Sequence, residues 1–259
     1  MTSYDTPDRE CPSCAFIRAA YLPHLGHGPM WPLDEIRPTQ MTVGWREVAR
    51  KQRRLRADKA VATSHRATPV VLGPSAAVYA LDHHHRLCAM VAEGWREAPI
   101  NVIDDLSHLA ESSFWRLMDS RGWCRPYDPA GLRKPFCEIP NRLADLADDP
   151  IRSLASTVRR RGGFAKSKRP FSEFRWADYL RLHITADQIG ADYIGATANA
   201  LEIARSCATR EFPGWHSPVA ASSLTSAQLT EPDQGWASVP TNSICNQACS
   251  CRFPSLLAA

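Results

Sequence analysis

The amino-acid sequence predicts an α+β fold, with a small mixed β-sheet first and a helical subdomain after it. Short apolar and β-branched segments, bounded by proline and glycine, are confined to residues 31–106. Helical spacing of apolar residues prevails over residues 107–215. Strands followed by helices, rather than alternating with them, are typical of α+β domains. A chain of 259 residues, 44% of them hydrophobic and 22% charged, can bury a core of this kind.

The sheet half is expected to carry two helices among its strands. In order, the predicted elements are a strand at residues 32–38, a charged helix at 44–57, a strand at 68–72, a turn at 73–75, a strand at 77–81, a helix at 83–93 and a strand at 99–103. The two strands around the turn predict a hairpin. Gly94 is expected at the C′ position of the second helix.

The second half is expected to be mainly helical. Its predicted helices lie at residues 107–118, 141–146, 151–160, 174–181 and 187–207. Ser107 is expected to cap the first of them, whose buried stripe would comprise Leu109, Phe114, Leu117 and Met118. Asp148 and Asp149 precede Pro150 and are explained as capping charge at a helix N-terminus.

The two ends of the chain are expected to lie outside the compact body of residues 31–215. Residues 1–30 predict an irregular lead-in. Residues 216–259 are rich in Ser, Thr, Ala and Pro, and their charged residues are Glu231, Asp233 and Arg252. Such a segment buries too little apolar surface to offset its ordering entropy, so we expect a disordered tail.

The charge is uneven although the formal net charge is only +4. Basic residues gather at 46–66 and 159–169, and such clusters suit the phosphates of a nucleotide or a nucleic acid. A solvated helix face and a surface loop are the alternative interpretation. Of the nine cysteines, Cys11 and Cys14 form a C-x-x-C pair, but the second cluster (Cys245, Cys249 and Cys251) lies at the far end of the sequence and the other four are scattered. No structural zinc is therefore expected. With no long apolar run and no signal-peptide pattern, a cytoplasmic protein without membrane contact is expected.

The most conspicuous motif is D-H-H-H-R at residues 82–86, between a predicted strand and a predicted helix. A helix N-terminus favours anions, and Arg86 can bind a phosphate through two nitrogens. A histidine there can transfer a proton, which makes His84 and His85 candidate acid–base residues. Asp82 could orient a histidine or hold Mg²⁺, with Asp104 as a second metal ligand. An inert exposed turn is the alternative.

Several motifs in this order resemble the putative ParB-like nuclease family of bacteria, within the ParB/sulfiredoxin superfamily. The resemblance runs from about residue 31 to 215. The segments that carry it are L-D-E-I-R-P-T-Q-M-T-V-G at 33–44, A-L-D-H-H-H-R-L at 80–87, D-D-P-I-R-S-L-A at 148–155, R-G-G-F-A-K at 161–166 and F-S-E-F-R-W-A-D at 171–178. The resemblance implies a bound nucleotide, ATP, ADP or CTP, beside which Asp82 could hold the Mg²⁺ named above.

The resemblance also implies roles for individual residues. Asp82, His84 and His85 would be catalytic, and the phosphate-binding set would be His83, His84, His85, Arg86, Thr39 and Gln40. Lys166 joins this set on its own chemistry, because a basic loop with paired glycines at 159–169 could close over phosphates. The first functional hypothesis is therefore a nuclease, a hydrolase acting on DNA, or a nucleotide-dependent phosphoryl-chemistry protein. The second is a small-molecule kinase of the free amino acid type, with Asp34 or Glu35 as its base. The third is a non-catalytic module that binds nucleotide or DNA.

Overall fold

A computed structural model describes residues 28–57, 67–167 and 169–215 of the chain, all within one compact unit. The fold is mixed α+β, as the order of elements predicted. The tail at 216–259, residues 1–27 of the lead-in, residues 58–66 of the first basic cluster and residue 168 of the second lie outside the described residues.

Seven strands and seven α-helices lie within these ranges. The strands are β1 (Met30–Pro32), β2 (Ile36–Arg37), β3 (Thr42–Val43), β4 (Thr68–Leu72), β5 (Val78–Ala80), β6 (Glu97–Asp105) and β7 (Ala147–Asp148). The helices are α1 (Trp45–Ala57), α2 (His84–Ala92), α3 (Glu111–Ser120), α4 (Pro150–Arg160), α5 (Ser172–Leu180), α6 (Ala186–Ala191) and α7 (Tyr193–Arg205). No helix among the described residues has the length and apolarity that crossing a bilayer requires.

Five strands form the central sheet in the order β1-β6-β4-β5-β2, and β3 pairs with β7 in a separate small ladder. The β4–β5 hairpin is antiparallel, with Leu72 opposite Val78, and β2 adds in parallel with Ile36 opposite Val78. The sheet therefore has two distinct ends. We name them the hairpin end, at the β4–β5 turn, and the α2 end, where β5 leads into α2.

Three apolar clusters hold the fold together. One lies between the central sheet and helices α1 and α2, and it includes Val48 and Leu87, both fully buried. A second joins α4 to α7 around Trp176, whose ring stacks on Phe164 at 4.3 Å between centroids. A third packs Phe114 and its neighbours of α3 against β4 and β5. Phe164, Phe174 and Trp176 are thus buried in the core.

Four details of the predicted elements are wrong. Residues 32–38 form two short strands around a turn rather than one strand, and residues 141–146 contain a 3₁₀ turn (Leu143–Asp145) instead of an α-helix. Ser107 does not cap α3, because its N–H and hydroxyl both bind Asp105 Oδ1 and the helix starts later, at Glu111. The helix at 187–207 is broken at Asp192, whose carboxylate caps α7.

Candidate functional site

The D-H-H-H-R motif forms a tight turn between β5 and α2. His83 is the N-cap of α2 and lies in the left-handed region with φ 67°, which is uncommon for any residue other than glycine. Its N–H donates to Asp82 Oδ1 at 2.6 Å, and the Asp82 side chain is 77% exposed. On either side of this left-handed cap the motif divides, because Asp82 is exposed whereas His84 and His85 are buried.

His84 and His85 point into the protein, where each imidazole Nε2 accepts a hydrogen bond from a backbone amide. Thr39 N–H donates to His84 Nε2 at 3.2 Å, and Gly44 N–H donates to His85 Nε2 at 3.0 Å. The two residues are 3% and 8% exposed. These bonds assign the ring proton of each neutral imidazole to Nδ1. The pair therefore fastens the segment before α1 to the start of α2.

Burial sets the charge state of both rings. It lowers the pKa of His84 to about 4, although Asp82 raises it slightly. Burial likewise lowers the pKa of His85 to about 3, against the opposing effect of Glu47. Both imidazoles are then neutral near pH 7 and act as hydrogen-bond acceptors. The acid–base roles that the resemblance implies for them stay predictions, and the described contacts are those of positioning residues.

Thr39 and Gln40 belong to this buried segment. The Thr39 hydroxyl donates to Ala80 O at 2.7 Å, and Gln40 Nε2 donates to Thr42 O at 2.7 Å. Both side chains are buried, at 0% and 3% exposure. The segment ends at Gly44, where a Cβ would lie 2.4 Å from Ser153 Oγ, so α4 can approach only a glycine. The phosphate contacts expected of Thr39 and Gln40 stay predictions.

A buried ionic network lies behind His85 and joins four helices. Glu47 Oε2 of α1 is 3.6 Å from His85 Nε2 and 3.1 Å from Arg152 Nη1 of α4. Arg152 also binds Glu173 of α5, which pairs with Arg159. Burial alone would raise the pKa of Glu47, but His85 and the surrounding cations, above all Arg152, hold it well below its usual range. Glu47 is therefore an ionised carboxylate in the interior.

The other predicted site residues lie in different surroundings. Arg86 is half-buried on α2, and burial lowers the pKa of its guanidinium. Asp104 Oδ2 lies 2.6 Å from Arg121 Nη1, so that carboxylate is already paired. Lys166 is exposed, in the loop after α4. Across residues 28–57, 67–167 and 169–215, no three His, Cys, Asp or Glu side chains gather as a metal site. The proposed metal pairing of Asp82 with Asp104 stays a prediction.

In both basic clusters some charges are paired within the protein and others are exposed. In α1, Arg56 pairs with Glu93 at 2.7 Å and Arg46 stacks on Tyr193, whereas Arg53 and Arg54 are exposed. In the second cluster, Arg159 pairs with Glu173. Much of the basic charge thus contributes to helix packing, and the exposed remainder is available to a polyanion.

Sequence reasoning did not identify the residues of the ionic network. Glu47 is the one acidic residue in the thirteen of α1, which is a readable signal of a buried partner in an otherwise basic helix. Sequence reasoning also did not identify a cleft at the hairpin end, which is lined by Asp34, Glu35, Arg37 and Tyr79. The acidic pair named for the kinase hypothesis thus lies at the opposite end of β5 from the α2 turn.

Comparisons with known proteins agree with this architecture. The family described as "Putative ParB-like nuclease" matches residues 30–182. A crystal structure of protein Atu1540 from Agrobacterium tumefaciens is similar over 73% of this chain and 97% of that one, with 40% identity and a TM-score of 0.69. Among curated proteins, none matches this chain. Because the family match includes the central sheet, the α2 turn and the ionic network, the chain belongs to the putative ParB-like nuclease family.

Proposed function

We propose that this protein binds a phosphate-bearing ligand at the N-terminus of α2 and acts on a phosphodiester there, a reaction of the class named in its family's description. The observation that carries the proposal is the division of the D-H-H-H-R motif by its left-handed cap. His84 and His85 fix the turn from inside. Asp82 lies exposed beside the helix N-terminus, one turn from Arg86.

The chemistry of the turn fits a phosphate. The first turn of a helix carries partial positive charge on its N–H groups, and α2 has nine residues over which the dipole builds. Arg86 adds a planar guanidinium, which suits phosphate oxygens. Asp82 can accept a proton from an attacking water or share a Mg²⁺ ion with the phosphate. In this arrangement His84 and His85 are positioning residues.

The kinase hypothesis has less support from the geometry. Asp34 and Glu35 precede β2 at the hairpin end, next to Ala77 and Val78. From there to the α2 turn is roughly 13 Å along β5, at about 3.3 Å per strand residue. A carboxylate at that distance makes no direct contact with a phosphate held by the N–H groups of α2.

The test combines binding with cleavage, using the full chain. Calorimetric titration with ATP, ADP and CTP, each with and without Mg²⁺, measures phosphate binding, and nicking of a supercoiled plasmid with Mg²⁺ or Mn²⁺ measures nuclease activity. We expect micromolar binding that weakens at least about tenfold in Arg86→Ala, the loss of one charge-assisted pair. Nicking should vanish in Asp82→Asn while binding persists.

Arg54→Ala is the matched control, because Arg54 is an exposed arginine of α1 outside the turn. A folded protein that neither binds a nucleotide nor nicks DNA would overturn the proposal. Binding without nicking in the unsubstituted chain would support the non-catalytic module instead.

A further inference from the structure

The hairpin end carries a cleft that the proposed function does not use. It lies between the β4–β5 turn and the segment before β2, with a volume of about 560 Å³. Pockets for small ligands span roughly 300–1,000 Å³. Trp31 and Pro74 provide apolar walls, whereas most other lining side chains are polar or charged.

Two guanidinium groups line this cleft without an acidic partner in the described part of the chain. Arg37 Nη1 donates to the Tyr79 hydroxyl at 3.4 Å, and its guanidinium lies 5.8 Å from the Tyr79 ring centroid. That ring is itself fixed by Phe114 at 4.8 Å. Arg142 also lines the cleft and is exposed. A half-buried guanidinium held by a neutral phenol attracts an oxyanion, and a carboxylate fits its planar geometry best.

Three carboxylates line the same space. Asp34, Glu35 and Glu111 are exposed, and within the described residues none of them forms an ion pair. They would repel a ligand that carried only negative charge. A ligand that places one cationic group among them and one carboxylate at the arginines satisfies both sets at once.

The rim of the cleft is held in a conformation of high energy. Ser75 and Ala76 are consecutive and both left-handed, with φ 57° and 58°. Neither is a glycine, so each adopts this conformation at a cost in folding free energy. Such strain is concentrated at binding and catalytic sites, where the surrounding structure fixes the backbone. Here the strained pair lines the same cleft as Arg37.

We propose that this cleft binds a short peptide with free termini. The peptide carboxylate would pair with Arg37 and Arg142, and its ammonium group would lie among Asp34, Glu35 and Glu111. A free amino acid carries the same two charges but fills only a small part of 560 Å³. The site is separate from the α2 turn, so it does not depend on the proposed phosphate chemistry.

The experiment uses equilibrium dialysis of the full chain against a randomised tripeptide library, with retained peptides counted by mass spectrometry. An N-acetylated library lacks the ammonium, a C-amidated library lacks the carboxylate, and a mixture of free amino acids tests size. We expect the library with free termini to be retained best. Each blocked library should be retained about tenfold more weakly, the effect of one lost charge-assisted bond.

Arg142→Gln is the informative variant, because Arg142 is exposed and its replacement leaves the core intact. It should weaken retention of the free-termini library about tenfold and leave the C-amidated library unchanged. Arg54→Gln is the matched control and should change neither. Retention of no library, equal retention of all three, retention that is insensitive to Arg142→Gln, or equal retention of free amino acids would each overturn the proposal.

Discussion

The two ends of the central sheet handle charge in opposite ways. At the α2 end, the ionisable groups behind the turn are buried and matched to one another, as in the contact of Glu47 with Arg152 at 3.1 Å. At the hairpin end, Arg37 has a phenol as its partner and the carboxylates face an open cleft. The comparison indicates that the α2 end contributes most to stability, although it carries the conspicuous motif. Charge at the hairpin end contributes little to the fold and is available to a ligand.

The largest expected effect is acid sensitivity of the α2 end. In the unfolded chain both histidines have a pKa near 6.5, whereas the pKa values in the folded protein are about 4 for His84 and about 3 for His85. Between pH 6.5 and 4 the unfolded state therefore binds more protons. The contribution of the two neutral histidines to stability is fully present above pH 6.5. As the pH falls below that value, the free energy of unfolding falls with it. Each imidazole adds a slope of up to about 1.4 kcal/mol per pH unit.

Urea unfolding at a series of pH values from 7.5 to 4.5 measures this slope. The charged and titratable groups around the two rings are Asp82, His83, Glu47, Arg152 and Lys51. Below about pH 4.5, the usual pKa of Glu47, protonation of that carboxylate in the unfolded state adds to the loss of stability. His85→Gln keeps an acceptor for the Gly44 amide but removes a titrating ring, so its slope should be shallower. An identical slope in that variant would show that His85 is not held neutral by the fold.

The next effect contrasts one carboxylate from each end. Glu47→Ala leaves Arg152 buried at 7% side-chain exposure with one of its two acidic partners removed. Breaking a buried pair from one side costs about 3–5 kcal/mol, so we expect a loss of that order in the free energy of unfolding. Glu35→Ala, at the cleft, should change it by no more than about 0.5 kcal/mol. Equal effects measured by urea unfolding would remove the distinction between the two ends.

The sequence predicted the elements more successfully than it predicted their chemistry. Local signals were sufficient for the β4–β5 hairpin and for α2, which ends before Gly94 at φ 74°. The direction of the histidines was not predictable, because it depends on the left-handed conformation of His83, where a glycine would have been the usual indication. Glu47 and Arg152 are 105 residues apart, and no local pattern reports a contact at that separation.

The smallest effect concerns the strained rim of the cleft. Comparing glycine substitutions at two neighbouring alanines separates relief of backbone strain from the loss of stability that any alanine-to-glycine change causes. Ala76 has φ 58°, whereas Ala77, the next residue, is extended with φ −65°. Replacing either alanine by glycine increases the conformational entropy of the unfolded chain, which lowers the free energy of unfolding by about 0.4–1 kcal/mol. At Ala76 it also relieves a left-handed conformation worth about 1–2 kcal/mol. Ala76→Gly should therefore be neutral or slightly stabilising, whereas Ala77→Gly should lose about 1 kcal/mol in urea unfolding.

A loss of equal size in both variants would mean that the turn is not strained. Weaker retention of tripeptides by Ala76→Gly, at unchanged stability, would show that the fixed backbone of the rim contributes to binding.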